Sequence, residues 1–144
     1  MAVNTQKVVV AGLASGVVQA ILGGVGFGVL LGPRFNAEMD KVVPGLSATM
    51  ASGMNMGIGI GSQFVVGLLL AWLYAAMRPR YGAGPGTALR AGFAVWLCGF
   101  LFYMDNLQSG MMSMTSYLMA SGLMIVVTGA GALTAGALYK EDGA

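Results

Sequence analysis

Residues Val42–Met77, VVPGLSATMASGMNMGIGIGSQFVVGLLLAWLYAAM, run for 36 residues without a charged side chain. A helix needs about 20 such residues, or about 30 Å at 1.5 Å per residue, to cross the hydrocarbon of a bilayer. This stretch therefore holds a membrane span, expected over 46–77, with Pro44-Gly45 before it and Arg78-Pro79-Arg80 closing it. At 32 residues it measures about 48 Å, so it tilts or lifts its first turns beyond the hydrocarbon as part of a small helical cap.

Working outward, the pattern repeats on both sides. Towards the N-terminus, Val8–Pro33 is free of charge for 26 residues, giving a span over 8–32 that Gly32-Pro33 stops. Its apolar run exceeds the h-region of a secretion signal, and no small-residue cleavage site follows, so it reads as a retained span. Towards the C-terminus, Gly82-Ala83-Gly84-Pro85-Gly86 is a turn cluster. A third span, 86–106, follows it. Its strictly uncharged part, Ala91–Met104, is only 14 residues long, but Arg90 can snorkel from within its first turns. Phe93, Trp96, Phe100, Phe102 and Tyr103 make the rest strongly lipophilic. Asn106–Tyr139, 34 residues without a charge, holds the fourth span over 115–139 after a polar approach.

The expectation is an all-α transmembrane four-helix bundle, one domain over 1–144. Composition agrees, with 57% apolar and 8% charged residues against about 25% charged in soluble domains. Ala11-Gly12-Leu13-Ala14 resembles Ala91-Gly92-Phe93-Ala94, and Met50-Ala51-Ser52-Gly53 resembles Met119-Ala120-Ser121-Gly122. That order is the order of a duplicated hairpin.

Four spans put both termini and the loop between the second and third spans on one side. That side carries Lys7, Arg78, Arg80, Arg90 and Lys140, five basic residues against Arg34 and Lys41 on the other. Positive residues stay inside, so both termini are expected in the cytoplasm.

Several chemistries lose their residues at this stage. The chain has no histidine, which removes His-ligated haem, Ser–His nucleophile pairs and the usual neutral-pH proton shuttle. Its single cysteine, Cys98, lies in an apolar run and reads as a small hydrophobe. No basic stripe marks a nucleic-acid surface, and no cofactor motif is present. The expectation is a non-enzymatic protein without a cofactor.

Four groups of residues remain as candidate sites. Glycines at i+4 steps, Gly12/Gly16, Gly24/Gly28 and Gly53/Gly57/Gly61, are the expected helix-packing positions, because missing Cβ atoms let backbones approach in lipid. Asn55, Ser62 and Gln63 mark one stripe of the second span and a candidate polar path, since lipid offers them no partner. Arg78, Arg80 and Arg90 stand at headgroup level, ready for lipid phosphates or an acidic partner. Eight of the 12 methionines fall in the outer half. Soft thioethers bind Cu(I), which makes Met50, Met54 and Met112 a remote metal candidate beside their ordinary packing role. Asp105, beside Asn106, reads as an interfacial anchor.

The segment WLYAAMRPRYGAGPGTA, Trp72–Ala88, resembles a recurrent pattern in small, uncharacterised bacterial four-helix integral membrane proteins, as does GPRFNAEM, Gly32–Met39. The resemblance covers about a fifth of the chain. It implies the topology and the inner membrane of a bacterium, and brings no activity with it. The functional expectation is a structural or accessory subunit of a larger membrane complex, with lipids and other membrane chains or its own copies as partners. A small oligomeric channel or transporter using the polar stripe is the alternative, and copper handling a lesser one.

Overall fold

The computed structural model describes residues 3–140; Met1, Ala2 and Glu141–Ala144 of the expected 1–144 domain lie outside them. The helices are α1 (Thr5–Gly23), α2 (Gly32–Val42), α3 (Leu46–Met50), α4 (Gly53–Tyr81), α5 (Pro85–Gln108) and α6 (Met114–Leu138), and α1 continues as a π-helix over Gly24–Leu30. Four of these, Thr5–Leu30, Gly53–Tyr81, Pro85–Gln108 and Met114–Leu138, are long and apolar enough to cross a membrane. The chain is a multi-pass membrane protein with an all-α fold.

Local chemistry fixes the helix ends. The Asn4 side chain accepts from the Lys7 N–H at 3.1 Å and the Ser113 hydroxyl from the Ser116 N–H at 3.2 Å, capping α1 and α6. Gly82 and Gly84, with φ of 82° and 136°, make the turn that lets Pro85 open α5. Pro33 does not simply stop the first span, as expected. It sits in the first turn of α2, where its missing N–H costs nothing. Likewise the second span does not begin at 46: α3 breaks off at Ala51-Ser52, and the Thr49 carbonyl accepts from the Ser52 N–H at 3.2 Å and from the Asn55 amide at 2.8 Å across the break. The expected cap thus exists as two short helices, α2 and α3. The Asp40 carboxylate joins them, accepting from the Ser47 N–H at 2.9 Å and hydroxyl at 2.6 Å.

The bundle has two unlike ends. At the basal end the Asn4 N–H donates to the Tyr139 hydroxyl at 3.2 Å, the Gly84 N–H donates to the Tyr74 hydroxyl at 3.1 Å, and the Tyr74 and Tyr139 rings meet edge to face. Both described chain ends and the α4–α5 turn are gathered there. The core lies in this half, built from Val8, Ala11, Leu70, Ala71, Tyr74, Ala75, Ala88, Ala132, Ala135 and Tyr139. The small residues in that set bring α1 onto α4 and α5 onto α6. A Cβ on Gly67 would strike the Gly12 carbonyl and the Gly16 amide, and one on Gly92 would come 2.9 Å from the Ala132 Cβ.

At the distal end α2 lies across the bundle. Its Phe35 ring is buried and stacks on Phe27 of the π-helix at 6.1 Å. Glu38 accepts from the Ser113 N–H and hydroxyl and from the Ser116 hydroxyl at 2.7–3.1 Å, while Arg34 donates to Ser116 at 2.7 Å. Burial pushes the Glu38 carboxyl pKa up, but these hydrogen bonds and the Arg34 charge outweigh it and hold the value below the ordinary 4.5.

The two halves of the supposed duplication are alike only in part. Gly12 and Gly92 each sit at a close approach within their own helix pair. Met50-Ala51-Ser52-Gly53, however, falls on the α3–α4 break, whereas Met119-Ala120-Ser121-Gly122 lies inside α6. The second match has no common structural position.

Candidate functional site

The glycine face of α4 changes character half-way along. Residues seven apart on a helix share a face, so Gly57 aligns with Phe64, and Gly61 with Leu68. In the basal half α1 covers this face: added Cβ atoms on Gly12 and Gly16 would come within 2.7–2.8 Å of Leu68 and Phe64. In the distal half α1 and α4 diverge. No residue from Gly53 to Val65 is buried, and Cβ atoms on Gly53, Gly57 and Gly61 would meet nothing within 4 Å. Within the chain these three are therefore not packing positions, contrary to expectation, because nothing lies opposite them.

Gly24 and Gly28 are open in the same way, in the π-helical part of α1. The glycine that does pack there is Gly26, whose Cβ would run into the Leu123 side chain. The wider π-turn, closed by the Leu31 N–H on the Gly26 carbonyl at 2.9 Å, rotates the i+4 pattern off the contact.

The polar stripe also resolves differently from its expected path. Asn55 is spent on Thr49, and the Ser62 hydroxyl donates to the Gly59 carbonyl at 2.7 Å. Gln63 is half-buried and has no hydrogen-bond partner among the described residues. These three do not line a lumen inside one chain. What lies between the helices at this level is apolar.

That apolar space is a cavity of about 280 Å³. Its walls are Trp96, Gly99, Phe100 and Tyr103 of α5, Tyr117, Ser121, Met124 and Thr128 of α6, Val66 of α4, and Phe27 of the π-helix. The rings form a chain, Phe93–Trp96–Phe100–Tyr117–Tyr103, with successive centroids 5.1–6.3 Å apart. Two hydrogen bonds fix it: the Trp96 indole N–H donates to the Ser121 carbonyl at 3.0 Å, and the Tyr117 hydroxyl donates to the Phe100 carbonyl at 2.8 Å.

The cavity is not visible in the sequence, where Phe93, Trp96 and Phe100 stand as the lipophilic part of the third span, though their spacing of three and four puts them on one face. Ser121 and Tyr117 carried no signal of their own.

The remaining candidates are dispersed. Met50 ends α3 and Met54 lies in the first turn of α4 beyond the break, so one continuous helix does not carry both. Met54 is 78% exposed, and Met112 lies in the turn before α6. At the basal end the Arg90 and Arg80 guanidinium carbons lie 5.1 and 6.0 Å from the centre of the Tyr81 ring. Two of the three expected headgroup arginines are thereby drawn to one aromatic, and Arg78 is half-buried nearby in the same turn of α4. Cys98 is exposed on α5 rather than buried.

Comparison with known protein families, curated proteins and solved structures gives no match.

Proposed function

We propose that the chain is a non-enzymatic subunit of a larger assembly in a bacterial inner membrane, with both termini cytoplasmic. The observation that carries this reading is the half-covered glycine face of α4. Its basal half takes α1 at close range, and its distal half offers the same small-residue surface with no helix on it. In lipid, helix association is driven by close packing rather than by escape from water. A second chain's helix entering between the diverging parts of α1 and α4 gains that packing. At the other end of the same helix Arg78 and Arg80, with Arg90 of α5 beside them, would meet anionic headgroups.

The test is the size of the particle extracted from source membranes in mild detergent. The reading expects a species well above the 14.7 kDa chain, with further membrane chains or copies co-purifying, and its loss in a Gly57→Leu/Gly61→Leu variant. A parent protein that migrates as the free chain contradicts it. Gln63 favours a second reading, an oligomeric channel, because an unpartnered amide within a span is satisfied by water or another copy. Conductance in a planar bilayer that falls with Gln63→Leu would support that alternative over an accessory role.

A further inference from the structure

The aromatic cavity holds one polar side chain that the fold leaves unused. Ser121 is 8% exposed, lines the cavity, and its hydroxyl has no hydrogen-bond partner among the described residues. Other hydroxyls of α6 behave differently: Thr128 and Thr134 donate to the carbonyls four residues back, at 2.7 and 2.9 Å. The Ser121 hydroxyl is not sealed within the protein, so an occupant that covers it must accept from it or leave it with a desolvation cost. Its own carbonyl already holds Trp96, so the indole is fixed in place beside it.

We propose that this cavity binds the ring of a membrane quinone, its carbonyl oxygen accepting from the Ser121 hydroxyl. Three properties of the site select that class. The volume of about 280 Å³ lies at the small end of ligand pockets, which suits a one- or two-ring head and excludes a whole sterol or phospholipid. The walls present indole, phenyl and phenol faces, which stack on an electron-poor ring. The cavity lies among membrane-spanning helices and is not sealed, so an isoprenoid tail can stay in the lipid while the head enters. An acyl chain would also fit an apolar slot, but it gains nothing from the ring faces and leaves Ser121 unpaired. Tyr103 lines the same cavity and its hydroxyl has no hydrogen-bond partner among the described residues, so a second ring oxygen has one further donor at hand.

Fluorescence quenching of Trp96 in the full chain tests this. A Trp72→Phe background, reconstituted in nanodiscs, leaves Trp96 as the single indole, and a short-chain benzoquinone and menadione are the probes. Saturable quenching at one quinone per chain is expected. Ser121→Ala should weaken it about fivefold, the worth of one hydrogen bond. Gly99→Leu should abolish it by filling the cavity; a Cβ there meets nothing within 4 Å, so the variant keeps its fold. Quenching that rises linearly with quinone and is the same in all variants means simple partition into lipid and overturns the proposal. So does equal displacement by a saturated alkyl cyclohexane, which would make the occupant an acyl chain. Should Gly99→Leu lose its helical circular dichroism, the Ser121→Ala comparison alone decides.

Discussion

Gly67 and Gly57 are both glycines on one helix, yet their neighbours give them opposite roles. Gly67 faces the Gly12 carbonyl and the Gly16 amide, which are backbone atoms that cannot swing aside. Gly67→Leu should therefore cost about 3 kcal/mol or more and lower the thermal midpoint in detergent sharply. Gly57→Leu should leave the isolated chain's stability within about 0.5 kcal/mol of the parent, since nothing faces it, while breaking assembly. Gln19 provides a second contrast. It is fully buried; its amide N–H donates to Ser15 at 3.2–3.4 Å, but its carbonyl oxygen has no partner. Replacing it with the similarly sized Met removes that orphan, and Ser15 keeps its bond to the Gly131 carbonyl at 2.8 Å. Gln19→Met should be neutral or raise stability by about 1 kcal/mol; a clear fall in the thermal midpoint would show that the amide does other work.

The elements differ in how readily the sequence shows them. α5 and α6 could be read to within two residues from charge gaps, Pro85 and the polar approach before Met114. The α2 helix could not, because its Gly32-Pro33 start looks like a stop, and its partners Ser113 and Ser116 lie 75–82 residues away. The π-helix was equally hidden, since Gly24–Leu30 has the composition of any glycine-rich span. For α2 the binding chemistry predicts a pH response. Glu38 has a folded-state value below 4.5, so its contribution is complete above pH 4.5 and is lost as pH falls through the lower, folded value. Acidification below pH 4.5 should release α2 and raise hydrogen exchange over residues 32–42 while the spans stay protected. In Glu38→Gln that acid-induced step should shrink to the part that Asp40 carries through its bonds from Ser47, and α2 should exchange faster already at neutral pH.

At the scale of the molecule, the spans and their order were legible because lipid permits few solutions for a chain with so few charges. The divergence of α1 from α4 and the cavity beside it were not, since both depend on where helices part, and composition records only that they are apolar. Orientation is the first whole-molecule prediction. Single cysteines at Gln6 and Lys140, in a Cys98→Ser background, should resist impermeant maleimide applied to intact cells and react after lysis; labelling of either from outside would invert the topology. The central claim, that another membrane chain fills the uncovered half of the α4 face, is met most directly by photo-crosslinking from within the membrane. A benzophenone side chain at Gly57 should give a discrete protein–protein adduct, lost when Gly61→Leu is added, while the same group at Val126, 61% exposed on α6, should give lipid adducts. Lipid adducts alone at both positions would contradict the account.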